Sequence, residues 1–129
     1  MKYDIFPNYL YLKCDVLFFY FLTSDVKCTV LGDTESKKTQ MIFRLTLNGM
    51  DNGDIVDQFE CYSYNKFVED EAIDYKIFDT ETSPDKSALR GLSHPNTDVF
   101  IICFSLVHPK SLENVEKVWV PEAKKYCPD

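Results

Sequence analysis

From Val26 onward, the chain alternates between two hydrophobic patterns. Short apolar or alternating runs, typical of strands, occur at residues 26–31, 60–68, 72–79 and 99–105. Two longer stretches, at 38–48 and 110–126, carry apolar residues at helical spacing. We therefore predict four strands and two helices in this part of the chain.

The lengths of the connections predict how the strands pair. Only Glu69, Asp70 and Glu71 separate the second strand from the third, so these two strands form an antiparallel hairpin. The other connections are long enough for crossovers, which join parallel strands. The predicted fold class is α/β, with a mostly parallel sheet, one antiparallel edge and flanking helices.

The last predicted helix carries an apolar stripe near a 3.6-residue spacing, which we interpret as core packing and not as a partner-binding surface. Pro121 lies within this helix and should bend it. The stripe consists of Leu112, Val115, Val118, Trp119, Ala123 and Tyr126.

Residues 1–25 do not fit the alternation and form a separate N-terminal extension. Their apolar run at 16–22 is too short to span a bilayer, which takes about 20 residues. Lys13 and Asp15 interrupt the segment, and Thr23-Ser24-Asp25 is unlike a signal-peptidase site. We interpret the extension as an added strand or short helix that must bury aromatic surface.

Composition narrows the class of protein. A chain of 129 residues with 45% hydrophobic content suffices for one domain with a core. Its 14 basic and 21 acidic residues argue against nucleic acid as a partner. Five cysteines without a C-x-x-C pair favour a reduced, cytoplasmic protein over a disulfide framework. His94 and His108 lack a second histidine at metal-ligand spacing.

The segment from Gly32 to Thr39 resembles a phosphate-binding loop between a strand and a helix. The pattern G-x-x-x-x-G-K-[ST] is met at Gly32, Lys38 and Thr39, whereas Lys37 replaces the second glycine. Amides at a helix N-terminus, together with a lysine, form an anion site. The alternative is an ordinary strand-to-helix turn.

Residues 26–129 resemble the first part of a Rho-family small GTPase, in the Rho/Rac/Cdc branch. The resemblance is carried by residues 27–33, 59–62, 78–80, 92–107, 113–115 and 119–122. The block 98–107, followed by the helix with Trp119, is specific to that branch. It implies a P-loop NTPase-like, partial small-GTPase domain that lacks the last two strands and the C-terminal helix.

The resemblance also implies GTP or GDP and Mg²⁺ as ligands. Lys38 matches the lysine that contacts the β- and γ-phosphates, while Thr39 and Asp79 match the metal ligands. The implied nucleotide-binding residues are Gly32, Lys37, Lys38, Thr39 and Gln40. Lys37 should cost the loop its shape, and Glu35 adds a carboxylate at its rim.

Several positions depart from the family where hydrolysis takes place. The family sequence D-T-A-G-Q reads here Asp79-Thr80-Glu81-Thr82-Ser83, so Ser83 replaces the glutamine that orients the attacking water. Thr34 stands at another family glycine. We therefore assign no catalytic residue and expect impaired hydrolysis and impaired nucleotide binding.

If hydrolysis and nucleotide binding are impaired, binding to other proteins is the function that remains for this domain. Asp57, Phe59, Glu60 and Tyr62 match the effector-facing stretch, and Leu89, Arg90 and Leu92 match part of the second switch. Rho-type effectors or regulators are the implied partners. For Phe59 and Tyr62, simple packing along the sheet edge is an equal alternative.

Two features of the family do not occur in the sequence. It contains neither the [NT]-K-x-D nor the S-A-K motif that recognises guanine, and Cys127 does not form a C-a-a-X lipid anchor. We therefore expect an open strand edge near residues 99–105. We also expect the aromatic run of the extension to cover the face of the missing helix. A working GTP switch and an incomplete gene product without a stable fold remain alternatives.

Overall fold

The computed structural model describes the backbone of residues 2–6, 9–13, 25–46, 60–68 and 70–127, and the side chains of residues 25–46, 61–68 and 70–127. The strands in these ranges are β1 (Lys2–Phe6), β2 (Tyr9–Lys13), β3 (Asp25–Gly32), β4 (Glu60–Val68), β5 (Glu71–Asp79) and β6 (Val99–Cys103). The helices are α1 (Lys38–Thr46), α2 (Ser87–Arg90), α3 (Pro109–Asn114), a π-helical segment (Val115–Trp119) and α4 (Val120–Tyr126). Single 3₁₀ turns occupy Thr34–Ser36 and Pro84–Lys86.

The strands form one mixed sheet in the order β1-β2-β6-β3-β5-β4. β3 lies at its centre and pairs in parallel with both β5 and β6, whereas β4 pairs with β5 as an antiparallel edge. Asp70 makes the tight β4–β5 turn with a φ of 66°. The predicted α/β class, the four strands after Val26 and their single antiparallel edge are thus confirmed.

The opposite edge of the sheet differs from the prediction. We expected an open edge near residues 99–105, but β2 pairs antiparallel with all of β6, from Tyr9↔Cys103 to Lys13↔Val99. β1 then pairs antiparallel with β2. Residues 2–13 therefore contribute a hairpin to the sheet. The aromatic run at 16–22, which we expected to cover a helix-free face, lies outside the described residues.

The sheet separates two apolar cores, because alternate side chains of a strand point to opposite faces. On one face, Trp119 and Ala123 of the long helical region pack against Phe100 and Ile102 of β6. On the other face, Ile42 of α1 packs with residues of β3, β5 and β6. The phosphate-loop segment joins β3 to α1, so both its ends are anchored in the core.

The last helical region, 109–126, is present, but its buried stripe differs from the prediction. Pro121 has no N–H for the carbonyl of Lys117, and a wider π turn at Val115–Trp119 precedes it. The mean spacing of buried residues therefore rises to four, at Ser111, Val115, Trp119 and Ala123. Three residues of the predicted stripe are exposed instead: Leu112, Val118 and Tyr126.

Most of the described cysteines are free thiols. Cys28 and Cys103 are buried, and burial raises the pKa of each to about 12, so neither is a reactive thiolate at neutral pH. Cys61 is free and exposed. Cys127, in contrast to our expectation of reduced cysteines, is disulfide-bonded. None of the helices in the described ranges is long and apolar enough to cross a membrane.

Candidate functional site

The segment 32–38 forms a compact loop between β3 and α1. After extended Asp33, the chain makes the 3₁₀ turn Thr34–Ser36, in which the Ser36 amide donates to the Asp33 carbonyl at 3.0 Å. The Ser36 hydroxyl donates to the same carbonyl at 2.6 Å. α1 begins at Lys38, so its first amides open towards this loop.

Gly32 cannot be substituted by another residue without a change in the backbone. Its φ is 144°, a conformation that side chains rarely adopt, and an added Cβ would lie 2.4 Å from the Cys103 carbonyl oxygen of β6. This close approach arises because Gly32 and Cys103 are partners in the parallel β3–β6 ladder. Any other residue would have to separate the two strands or move the loop.

Lys37, at the position of the motif's second glycine, has a left-handed backbone. Its φ of 58° and ψ of 34° are left-handed, which costs a non-glycine residue roughly 1–2 kcal/mol. Its amide donates to the Thr34 carbonyl at 3.3 Å, and its carbonyl accepts from Met41 at 3.1 Å. Lys37 therefore adopts a backbone conformation that favours glycine, with local strain.

Three side chains, which we call the floor of the site, meet beneath the loop. Lys38 is 5% exposed, and its Nζ lies 3.3 Å from Oδ1 of Asp79 at the end of β5. The Thr39 hydroxyl donates to Oδ2 of the same carboxylate at 2.5 Å. The structure thus brings together the predicted phosphate lysine and both predicted metal ligands. Gln40 is exposed in the first turn of α1.

After Asp79, the chain continues through Thr80 into a segment that is stabilised by hydrogen bonds between its own residues. Buried Thr80 donates its hydroxyl to the Val30 carbonyl at 2.6 Å, which fixes the end of β5 against β3. The Glu81 carboxylate then accepts from the amides of Thr82 and Ser83 at 3.1 and 3.2 Å. A hydrogen bond from Lys86 is the main factor that lowers the pKa of Glu81.

Two hydroxyls join this segment to the phosphate loop. Oγ1 of Thr34 lies 3.0 Å from Oγ1 of Thr82, within hydrogen-bond distance. Both positions are glycine in the family that the sequence resembles, so neither glycine could make this contact. We call Thr34, Glu81, Thr82 and Ser83 the rim of the site.

A buried arginine holds the rim from below. Arg90, at the end of α2, is 3% exposed and makes a two-pronged ion pair with Glu122 at 2.7 and 2.8 Å. Its third nitrogen donates to the carbonyls of Glu81 and Ser83 at 3.1 and 3.2 Å. The guanidinium also lies 5.0 Å from the ring centroid of Trp119. Arg90 therefore connects the rim to the last helical region.

Glu122 accepts hydrogen bonds from a second direction as well. Nε2 of fully buried His94 lies 2.8 Å from its Oε1, and the Ser93 hydroxyl lies 3.2 Å from the other ring nitrogen. Burial alone would raise the pKa of Glu122. The hydrogen bonds and charges of Arg90 and His94 outweigh that effect and lower the pKa to about 2.

Asp33 links the phosphate loop to the π-helical segment. Its carboxylate accepts from the indole N–H of Trp119 at 2.7 Å and from the Asn114 amide at 2.6 Å. Sequence reasoning missed this contact and the Arg90–Glu122 pair, because their partners lie far apart in the chain. A signal did exist for Trp119, since a core indole needs an acceptor for its N–H.

A cavity of about 490 Å³ opens beside the phosphate loop. It lies between the loop, the segment after β5 and the last helical region, and carboxylates of Asp33, Glu35 and Glu122 are among its walls. Glu35 is exposed in the 3₁₀ turn, as expected for a carboxylate at the loop's rim. The cavity is therefore acidic on the side of the loop.

The predicted effector-facing residues are described only in part. Tyr62 of β4 is half-buried and packs edge-on against Phe43 of α1, with ring centroids 5.4 Å apart. This contact fits the packing alternative for Tyr62. Glu60 begins β4, opposite Asp79 in the ladder. Asp57 and Phe59 lie outside the described residues.

Comparison with known protein families identifies the chain. A model of the Ras family matches residues 27–129, which include the phosphate loop, the floor, the rim and the last helical region. The chain belongs to the Ras family. Domains of this family are small GTPases that bind GTP or GDP with Mg²⁺ and work with effectors and regulators. The Ras-family match begins after β1 and β2, so it leaves out the N-terminal hairpin.

Proposed function

We propose that this Ras-family chain is a Rho-like relative that has lost GTP hydrolysis, binds nucleotide weakly and acts through protein contacts. The observation that carries the proposal is the 3.0 Å contact between the hydroxyls of Thr34 and Thr82. It places two side chains between the phosphate loop and the segment after β5. In the family, that space serves the γ-phosphate, the glutamine and the arginine of an activating protein.

Ser83 supports the loss of hydrolysis from a second side. Its side chain is too short to orient a water molecule in place of the family's glutamine, and its carbonyl is held by Arg90 at 3.2 Å. The neighbouring Glu81 carboxylate adds negative charge where a triphosphate would carry its own. Groups that act together in a reaction also fail together, so these departures reinforce one another.

The floor supports residual binding of a magnesium-bound phosphate. The Thr39 hydroxyl and the Asp79 carboxylate are adjacent oxygen donors, the ligand type that Mg²⁺ prefers, so they fit the ion. When bound, Mg²⁺ supplies positive charge that offsets the phosphates. Lys38 would hold the phosphate itself, once its ion pair with Asp79 rearranges.

Two residues of the loop support weak binding. Glu35 places an exposed carboxylate in the 3₁₀ turn, where it repels an anionic ligand. Lys37 maintains its left-handed backbone at an energetic cost, so a glycine there would bind phosphate with less strain. We therefore expect an affinity below that of a working switch, although the binding residues of the floor are retained.

The segment after the rim offers a surface for protein contacts. Leu89 and Leu92 are 46% and 73% exposed on either side of buried Arg90. Because Arg90 fixes this segment to Glu122 and to the rim carbonyls, we expect the surface to keep one conformation with or without nucleotide. Rho-type effectors or regulators are the partners that we propose.

A working GTP switch is the second candidate. It is favoured by the convergence of Lys38, Thr39 and Asp79 and by the left-handed backbone of Lys37, a conformation that favours glycine. The two candidates share the floor and differ at the rim, so nucleotide affinity separates them.

The test is a titration of the purified chain with fluorescent GDP and GTP analogues in Mg²⁺. We expect dissociation constants weaker than micromolar, together with a cooperative thermal unfolding transition. Glu35→Gln should tighten binding about two- to tenfold because it removes like-charge repulsion. Glu116→Gln, an exposed carboxylate on the last helical region, is the matched control and should leave affinity unchanged.

Other outcomes of the titration would change the assignment. Micromolar or tighter binding that Lys38→Met abolishes would favour the working switch. A chain without cooperative unfolding would favour the third interpretation, an incomplete gene product without a stable fold.

A further inference from the structure

The states of the cysteines indicate a covalent link between the two ends of the chain. The sequence contains five cysteines, of which Cys28, Cys61 and Cys103 are free thiols. Cys127, which directly follows α4, is disulfide-bonded. Its bond needs a second cysteine, and Cys14 is the one that remains. We propose that Cys14 and Cys127 form an intrachain disulfide that fastens the N-terminal hairpin, β1 and β2, to the end of the last helical region.

The register of β2 shows to which face of the sheet position 14 belongs. Leu12 lies opposite Phe100 of β6 in the antiparallel ladder, and Lys13 is the last residue of β2. Residues directly opposite each other share a face, and so do residues two apart in one strand. Phe100 belongs to the core that also contains Ala123 of α4. The alternation of β2 therefore assigns Cys14, two residues after Leu12, to the face that carries α4.

Cys127 lies on that same face. It is half-buried and packs against the core that contains Phe100. Its amide donates to the Ala123 carbonyl at 3.0 Å, so the last turn of α4 holds its backbone. The Cα atoms of a disulfide lie about 4.4–6.8 Å apart, so the two cysteines have to be close neighbours. The end of β2 and the end of α4 both reach the core around Phe100, which meets this requirement.

The link gives the N-terminal hairpin a second attachment to the domain. The ladder between β2 and β6 is the first, and the disulfide joins the hairpin to the end of α4. The loop that the bond closes spans most of the chain, and a cross-link across a long loop restricts the unfolded chain strongly. The hairpin lies outside the Ras-family match at 27–129. We therefore expect the hairpin and the matched region to unfold as one unit.

Formation of the bond is a two-electron oxidation. The two thiols lose two protons, and their two electrons pass to a small-molecule disulfide, which is reduced to two thiols. The first thiolate attacks that disulfide and releases one thiol, and the second thiolate then displaces the other from the mixed disulfide. An excess of small thiol reverses both steps. The thermal stability of the chain should therefore depend on the thiol–disulfide balance of its surroundings.

The first test maps the bond in the unchanged chain. The protein is purified without reductant, denatured, alkylated and digested, and its peptides are identified by mass spectrometry. We expect one linked pair of peptides that contains Cys14 and Cys127 and separates on reduction. Cys28, Cys61 and Cys103 should be alkylated, in agreement with their free thiols.

The second test measures the unfolding midpoint of Cys14→Ser, Cys127→Ser and the double variant. Each change removes the same bond, so all three midpoints should fall equally, by about 5–20 °C. Reductant should lower the midpoint of the unchanged chain by a similar amount and should not move those of the variants. Cys61→Ser removes an exposed free thiol and is the matched control. It should keep both the midpoint and the response to reductant.

The linked peptide pair, together with equal and non-additive losses in the serine variants, would support the proposal. Alkylation of Cys14 in the oxidised chain would overturn it, as would dimers on a non-reducing gel that reductant separates. Additive losses in the double variant, or a midpoint of the unchanged chain that reductant does not move, would overturn it as well. Peptide mapping decides the pairing even where a serine variant does not fold.

Discussion

The floor and the rim of the site lie within a few residues of each other, yet they differ in how they relate to the family's chemistry. The floor consists of the lysine, threonine and aspartate that we propose as a magnesium-dependent phosphate site, joined by contacts of 3.3 and 2.5 Å. The rim has replaced two glycines and a glutamine with Thr34, Thr82 and Ser83.

The difference follows from what each region does for the fold. Lys38 and Asp79 are buried, so losing either would leave the other charge in the interior without this ion pair. Thr34 is exposed, and the hydrogen bond that joins it to Thr82 contributes little to stability. If the chain no longer hydrolyses GTP, as we propose, its rim is free to change, while the fold itself retains the floor.

Lys38→Met should have the largest effect on stability. It leaves the Asp79 carboxylate buried without its cation, which costs roughly 3–5 kcal/mol in the free energy of unfolding. Lys37→Met is a matched control, because Lys37 is exposed and the change should stay within about 0.5 kcal/mol. Urea denaturation measures both, and equal losses would contradict a structural role for the floor.

Glu122→Gln should have the second-largest effect on the free energy of unfolding, and this effect should depend on pH. The pKa of Glu122 is lowered from 4.5 to about 2, so its charge stabilises the fold above pH 4.5 and this stability disappears as the pH falls towards 2. The variant should lose roughly 2–4 kcal/mol at pH 7 and show a shallower acid dependence. Glu113→Gln removes a carboxylate from an exposed ion pair and should change neither quantity. The measurement is the free energy of unfolding from pH 7 to pH 2. Parallel curves for the unchanged chain and Glu122→Gln would contradict a stabilising role of the Glu122 charge.

Asp33→Asn should have an intermediate effect, because it disturbs the tie between the loop and the helix. The new amide cannot accept from both Trp119 and Asn114 as the carboxylate does, and we expect a loss of roughly 1–3 kcal/mol. Trp119 is the only tryptophan of the chain, so its fluorescence reports the change directly. Asp85→Asn, in an exposed turn, is the control. An unchanged emission spectrum and midpoint would show that this tie does not matter.

Removing the hydroxyl contact between Thr34 and Thr82 should have the smallest effect on the free energy of unfolding. Thr34→Val and Thr82→Val, alone and together, form a double-mutant cycle for which we expect a coupling of no more than about 1 kcal/mol. Coupling as large as the loss in Lys38→Met would remove the contrast between floor and rim.

Much of the fold could be predicted because local patterns determine it. The alternating runs after Val26 predicted the strands, and the short β4–β5 link predicted their hairpin. The strand-to-helix loop predicted the positions of Lys38 and Thr39. The last helix was predicted as an element. Its buried face was not, because the π turn before Pro121 changes the spacing from 3.6 to four.

What could not be predicted depends on contacts between distant parts of the chain. Nothing near Arg90 indicates Glu122 as its partner, and nothing in residues 2–13 indicates that they pair with β6. The left-handed conformation of Lys37 was not predicted for a different reason. A glycine-like backbone angle is unfavourable for lysine, but the hydrogen bonds on both sides of the residue enforce it.

Magnesium-dependent release of phosphate from GTP by the purified chain tests the central claim most directly. Lys38→Met sets the background, and a variant with Thr34→Gly, Thr82→Gly and Ser83→Gln restores the family's two glycines and its glutamine at the rim. We predict that the unchanged chain releases phosphate no faster than Lys38→Met. Turnover by the unchanged chain that requires Mg²⁺ and disappears in Lys38→Met would contradict the account.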